Sequence, residues 1–236
     1  IKMSHYDEQR DKDLSVSKIE LIQGDCMDYM KTLEDNAFDL AIVDPPYGID
    51  AGNCFSGELR KSGKGRALKS AFEAKDWDKK TPSKEYFKQL KRVSRNQIIW
   101  GANYYPQHLS PSMGWIFWDK NNGTTKFSDG EIAYTSFNQA LRIYKYTWNG
   151  MLQGDMKNKE HRIHPTQKPV KLYEWLLTKY AKKGQRILDT HIGSGSSAIA
   201  AHYFGVDFVG IELDEDYYKA AKDRFSKATA QIGMDF

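Results

Sequence analysis

Asp44, Pro45, Pro46, Tyr47 and Gly48 follow the apolar run Ala41, Ile42 and Val43. Two successive prolines fix φ, restrict the residue ahead of them and supply no backbone N–H. The turn is therefore stiff and presents acceptors, the Asp44 carboxylate and the carbonyls of Asp44 and Pro45. Its place at the end of a buried strand is the carboxyl edge where ligands of α/β sheets lie. An amino group on a heterocyclic base is a poor nucleophile because its lone pair is delocalised into the ring. Two acceptors gripping its hydrogens would free that lone pair, and Tyr47 offers a face on which the base, once out of its duplex, can stack. Attack on a sulfonium methyl would then be one in-line displacement, with no metal and no covalent intermediate, driven by positioning and electrostatics. An ordinary rigid turn with a helix cap is the competing reading of the same residues.

A second constellation starts at Asp189, where Thr190, His191, Ile192, Gly193, Ser194, Gly195, Ser196, Ser197 and Ala198 lead into an apolar helix. Glycines there allow a sharp turn and close approach of a ligand, and the helix start offers free N–H groups. Glu212 follows Asp189 by 23 residues, at the end of the next strand, where a carboxylate can accept both hydroxyls of a ribose. The pair implies a cofactor containing adenosine. A nicotinamide-dependent oxidoreductase fits this turn alone, as does a glycine turn that only packs a helix on a strand. An oxidoreductase, however, needs a hydride acceptor site and usually a second domain for its substrate.

Positioning these turns requires strands that end at a common edge. Apolar runs alternating with helical stretches predict an α/β fold, a doubly wound and mostly parallel sheet covered on both faces. Strands are expected at 19–23, 39–43, 97–100, 115–118, 131–137, 141–148, 186–189 and 208–211, and helices at 27–33, 84–93, 170–181, 196–204 and 215–225. Ser83 reads as a helix cap and Pro169 as a rigid first turn. Residues 49–82, rich in Gly, Ser and Lys, and the polar stretch 149–162 exceed ordinary loop length, which points to functional or mobile segments.

The chain of 236 residues has 40% hydrophobic and 28% charged residues, which excludes a disordered chain, and no apolar run approaches the ~20 residues of a spanning helix. We expect one domain over 1–236, a polar tail at 1–15 that starts without Met as a trimmed end would, no membrane association, and a cytoplasmic location. Cys26 and Cys54 have no partners at ligand spacing, so neither a disulfide framework nor a metal site is expected. The net charge of +4 is matched by a local +4 over 58–75, where Arg60, Lys61, Lys64, Arg66, Lys69 and Lys75 face Glu58 and Glu73. The rest of the chain sums to zero, which marks this loop as the nucleic-acid candidate or as a solvated charge run.

These motifs together resemble the bacterial and phage amino-methyltransferases of DNA, in the permuted order that puts the catalytic turn before the cofactor turn. The resemblance runs from Ile19 to about Phe225. It rests on Asp-Pro-Pro-Tyr-Gly at 44–48, on Ile-Glu-Leu-Ile-Gln-Gly-Asp at 19–25, and on the specific run His-Pro-Thr-Gln-Lys-Pro at 164–169. It implies S-adenosylmethionine as cofactor, double-stranded DNA as partner, and a methyltransferase-type sheet with one antiparallel strand near its edge. By the same resemblance Asp44, Pro45, Pro46 and Tyr47 are catalytic. Asp25 and Cys26 would lie at the cofactor's adenine, and Thr166 and Lys168 near its methionine end, where a cation suits a carboxylate. His164 belongs to the same cofactor signature, with a capping or packing histidine as the competing and better reading of that one residue. Asp189, Gly193, Ser194, Gly195, Ser196 and Glu212 would complete the cofactor site, with Asp44 at its boundary. Where relatives commonly read Pro and Phe this chain has Thr190 and His191, which sets a titratable ring in place of an aromatic wall. Asp as the first residue of the catalytic turn leans toward adenine N6 rather than cytosine N4. Methylation of RNA or of a protein amide is a more remote alternative. Only 43 residues, 121–163, are available for target recognition, so the loop at 49–82, through Arg60, Lys61, Lys64, Arg66 and Lys69, is expected to share in DNA contacts. A recognition segment this small suggests a homodimer or a helper subunit.

Overall fold

The computed structural model describes residues 17–54, 75–123, 128–149 and 152–230. In chain order its elements are β1 (Ile19–Gln23), α1 (Cys26–Lys31), β2 (Phe38–Val43), the short α2 (Ala51–Cys54), α3 (Lys84–Val93), β3 (Ser94–Trp100), β4 (Trp115–Asp119), β5 (Gly130–Thr135), β6 (Arg142–Lys145), β7 (Trp148–Asn149), β8 (Leu152–Gln153), α4 (Val170–Tyr180), β9 (Arg186–Asp189), α5 (Ser196–Phe204), β10 (Asp207–Glu212) and α6 (Glu215–Ala230). Eight strands form one sheet in the order β1-β10-β9-β2-β3-β5-β4-β6. Only β5 in that sheet runs against its neighbours, so the expected fold class and its single antiparallel strand are both found.

The sheet is buried on both faces because its central strands carry apolar residues at successive rather than alternate positions, Leu40 to Val43 in β2, Ile98 to Trp100 in β3 and Ile187 and Leu188 in β9. Leu40, Ile42, Ile98 and Trp100 face Leu172 and Leu176 of α4 and Ala198 and Ala201 of α5. Ala41, Val43 and Ile99, one residue out of phase, face Met30 of α1 and Tyr86, Phe87 and Leu90 of α3. Each of the Leu, Ile, Val, Met and Phe side chains among them contributes about 1.5–3 kcal/mol by leaving water. The parallel register sets Gln23 beside Glu212 and Gly210 beside Asp189, which brings both acidic strand ends to the carboxyl edge.

Capping explains the helix limits. The Asp25 side chain accepts from Met27 N at 2.7 Å and starts α1, while Ser83 caps α3 as expected. Arg92, in the last turn of α3, donates to the carbonyls of Met30 and Leu33, both at 2.7 Å, which closes the end of α1. Pro169 is the N-cap residue of α4 rather than its first helical residue.

Several bounds depart from the sequence reading: α1 ends at Lys31 rather than at 33, and the stretch expected as loop from 49 contains α2. β3 starts at Ser94 directly after α3, because Ser94 Oγ donates back to Leu90 O and the polar residues 94–96 hide a strand start. The strand expected at 131–137 stops at Thr135. The single strand expected at 141–148 is two: β6 pairs with β4 at the sheet edge, and β7 turns away to form a ribbon with β8. The stretch 149–162 is thus not plain loop, since Gln153 bonds the backbone of Glu160 through both its amide atoms at 2.8 Å. Finally, α6 continues five residues past 225, where Tyr203 of α5 donates to Ala228 O at 2.6 Å. Among the described residues no helix is long and apolar enough to cross a membrane.

Candidate active site

A cavity of about 510 Å³ opens at the carboxyl edge between the ends of β1, β2, β9 and β10. Its wall includes Asp25, Cys26, Asp44, Pro46, His164, Thr166, Lys168, Gly193, Ser194 and Glu212. Residues far apart in the chain and singled out on separate grounds thus meet around one space. Pro45, Tyr47, Asp189, Gly195 and Ser196 are not on that wall. Arg60, Lys61, Lys64, Arg66 and Lys69 lie outside the described residues.

The glycine turn is held by carboxylates. Glu212 accepts from Gly193 N at 2.9 Å and from Asp214 N at 3.0 Å, leaving further lone pairs on both oxygens. Asp189 sits beneath the wall, 1% exposed, and accepts from His191 N at 3.0 Å and Ser197 Oγ at 2.6 Å. Burial pushes its carboxyl up to about 7. Gly195 takes φ +72° as the N-cap of α5, a conformation that favours glycine. Behind the turn, Arg224 donates to Ser194 O at 2.8 Å and Ser196 Oγ at 2.9 Å, and pairs with Glu160 at 2.6 Å. Glu160 in turn accepts from Val170 N at 3.0 Å, so one ion pair ties the glycine turn to the start of α4. Ser196 and Asp189 therefore shape the site from below.

Two histidines face the cavity, and both are neutral near pH 7. Burial, with the Lys168 charge, brings His164 down to about 3, and burial alone brings His191 to about 4. His191 packs edge-on to Tyr86 and bonds Thr190 Oγ1 at 2.9 Å, so it forms an uncharged aromatic wall after all. His164 accepts from Thr166 N at 3.3 Å and lies between Trp77 and Tyr217, at ring separations of 4.9 and 4.3 Å. Cys26 is kept as a thiol, since burial and then Asp25 push it up to about 12.

On the other side stands the proline turn. Tyr47 donates to Asp44 Oδ1 at 2.6 Å, and Lys168 Nζ lies 2.5 Å from Asp44 Oδ2, 3.1 Å from the Tyr47 hydroxyl and 2.9 Å from Glu131 Oε2. Glu131 also pairs with Lys120. Burial would lower Lys168, but Asp44 and Glu131 outweigh it and raise it, so it remains an ammonium. Burial likewise opposes ionisation of Glu131, but Lys168 and Lys120 hold it down at about 2. Asp44 is raised by burial, with Lys168 pulling the other way. The Lys168 cation is thus engaged with two carboxylates, not free for a ligand's carboxylate. The Tyr47 ring stacks on Tyr104, with centroids 4.9 Å apart and planes 16° apart. Gly101, at φ +65°, leaves room for it, where a β-carbon would overlap the ring.

Asp78 holds the turn from outside. Its carboxylate, 1% exposed, accepts from Tyr47 N at 2.6 Å, Gly48 N at 2.9 Å and Ala51 N at 2.9 Å. Three residues earlier, Lys75 bonds Asp214 and Asp216, both at 2.7 Å. Residues 75–78 therefore span from the end of β10 to the proline turn. Sequence reasoning missed Asp78, Glu131, Trp77 and Tyr217, and passed over Asp214. Asp214 alone carried a signal, two residues after Glu212. An acid in a long polar loop or on a half-exposed strand carries none.

Residues 95–223 match the N6/N4 family described as DNA methylase. The chain is 24% identical over 270 residues to the Type II methyltransferase M2.MboI of Moraxella bovis, covering 100% of this chain and 96% of that protein. Its fold resembles the crystal structure of the M1.HpyAVI–SAM complex, at a TM-score of 0.53 and 20% identity, over 87% of this chain and 99% of the other. It also resembles the PvuII DNA methyltransferase (cytosine-N4-specific), at 0.56 and 9% identity, over 92% and 93%.

Proposed function

Because this chain belongs to the N6/N4 family of DNA methylases, we propose that it transfers a methyl group from S-adenosylmethionine to adenine N6 of a base turned out of double-stranded DNA. The observation that carries this reading is the shared wall of the cavity: Asp44 of the proline turn faces the same space as Gly193 of the glycine turn and Glu212. S-adenosylmethionine supplies an electrophilic methyl on a sulfonium. Glu212 would accept its ribose hydroxyls, Asp25 and Cys26 would border its adenine, and the glycine turn with His164 and Thr166 would enclose its methionine end. Lys168, spent on Asp44 and Glu131, orients the catalytic carboxylate instead.

Asp44 keeps a lone pair on each oxygen beyond those used by Tyr47 and Lys168, so with the Pro45 carbonyl it can take both hydrogens of the target amine. The nitrogen gains the methyl as the carbon–sulfur bond breaks, sulfur keeps that electron pair, and the product amine then gives up one proton. The Asp44 carboxyl, raised by burial, is placed to accept it. Tyr47 provides the stacking face once Tyr104 yields. DNA would be held by the basic loop and by the segment at 121–163 within a single catalytic domain. A second copy or a helper subunit would extend that surface.

The test is incorporation of labelled methyl groups into mixed-sequence duplex DNA followed by nucleoside mass analysis, with Asp44→Ala as control. Methyladenosine lost in the variant supports the reading. Methylcytidine would keep the mechanism and replace the base. Cofactor binding without any DNA product would overturn the choice of DNA.

A further inference from the structure

No motif pointed to Glu131, yet it occupies the third place in an alternating row of charge: Asp44, Lys168, Glu131, Lys120. Lys168 is 2.5 Å from Asp44 and 2.9 Å from Glu131, and Lys120 closes the row on the other Glu131 oxygen. Asp44 and Lys168 lie on the cavity wall, whereas Glu131 and Lys120 stand behind it. Among the described residues on that wall, Lys168 is the single ammonium, and it is 3% exposed. A buried cation beside a site for a cationic sulfur repels it unless something offsets the charge.

Resting on the cofactor reading above, we propose that Glu131 is a charge-balancing residue that offsets Lys168 so that the cleft accepts a sulfonium. With Glu131 and Lys120 both charged, the row of four is neutral. The acids Asp25 and Glu212 then set a negative field across the cavity, Asp214 being paired with Lys75. Neutralising Glu131 leaves the row at +1, on the side where methyl transfer takes place. Neutralising Lys120 leaves it at −1. Neither change touches the pocket for adenine, ribose or amino acid. Both therefore act on the sulfur charge and spare the shape of the ligand.

That separation gives a test with a built-in control. S-adenosylhomocysteine has the same adenosine and amino-acid groups as S-adenosylmethionine but a neutral thioether. The two are titrated calorimetrically into the full chain, wild type, Glu131→Gln and Lys120→Met. Glu131→Gln is expected to lower the affinity ratio of S-adenosylmethionine to S-adenosylhomocysteine by about tenfold. Lys120→Met is expected to raise it, and that opposite sign is something a loosened fold would not produce. Parallel losses for both ligands, or a ratio unmoved in both variants, would overturn the proposal and leave Glu131 as packing alone. Binding of neither ligand by the wild-type chain would remove the cofactor reading and this proposal with it.

Discussion

The two halves of the cleft are built by different means. The cofactor half, at the ends of β1, β9 and β10, is lined by carboxylates bonded to backbone N–H groups nearby in sequence or one strand away, Asp25 to Met27, Asp189 to His191, Glu212 to Gly193 and Asp214, with the longer-range Arg224–Glu160 and Lys75–Asp214 pairs standing behind them. The catalytic half, at the ends of β2, β3 and β4 and the start of the antiparallel β5, is held by side chains that reach across the molecule. Lys168 meets Asp44 from 124 positions away, and Asp78 meets Tyr47 from 31. The first arrangement presets a pocket whether or not anything binds. The second makes the position of the reacting groups depend on several remote anchors, and substitutions should separate the two.

The largest separation is expected from Asp44→Ala. Removal of one of the two acceptors should lower kcat by about 10²–10³-fold or more, while calorimetry finds affinity for the neutral S-adenosylhomocysteine, which does not sense the charge left on Lys168, little changed. A comparable loss of cofactor binding would mean that the halves are not independent. Asp78→Ala comes next. It leaves three N–H groups of the catalytic turn without their acceptor, and a misplaced turn should cost about 10–100-fold in kcat with little change in cofactor affinity. Asp78→Asn should recover part of that loss, because one oxygen already takes both Tyr47 N and Gly48 N and an amide keeps one oxygen. Equal behaviour of the Ala and Asn variants would make Asp78 a filler of space.

The same contrast decides what could be read from the sequence. Strands β1, β2, β9 and β10 were visible because each holds a run of apolar residues, Leu21 and Ile22, Leu40 to Val43, Ile187 and Leu188, and Phe208 and Val209, and Glu212 because its spacing from Asp189 follows one strand–helix–strand unit. Asp44 was visible because two prolines after a buried strand admit few other readings. Glu131 falls at a polar position of a half-exposed strand, where an acid is the ordinary choice, and its meaning arises only when Lys168 and Lys120 arrive from α4's approach and the end of β4. Asp78 sits in a stretch of Lys, Asp and Ser with no periodicity. The division of 141–148 between β6 and β7 depends on which strands they pair with, which a hydrophobic pattern does not encode. The role given to Lys168 was also too local, since a cation near a cofactor motif suggests a ligand carboxylate until two protein carboxylates are seen on it.

Smaller and on the cofactor side, Glu212→Gln keeps an acceptor for the backbone but weakens the charge-assisted bonds to a diol. Cofactor Kd should rise by about tenfold, with kcat at saturation near wild type. A fall in kcat at saturation would show that the ribose end also positions the methyl group.

The smallest effect is a pH dependence confined to the cofactor half. His164 and His191, held at about 3 and about 4 in the fold, bind fewer protons than unfolded imidazoles of about 6.5. They make stability rise with pH until the unfolded rings have lost their protons. Asp189 acts in the opposite sense. Its folded value of about 7 lies above the usual carboxylate range, so the fold binds the extra proton, and that stability is lost as pH rises through about 7. In the wild type the two slopes oppose each other. In Asp189→Asn only the histidine slope remains, so the variant should gain on the wild type by about 1 kcal/mol between about pH 6.5 and 8, or about 2–4 °C in Tm. Parallel melting curves across that range would mean that Asp189 is ionised throughout, with Ser197 and the His191 N–H sufficient to hold its charge beneath the glycine turn.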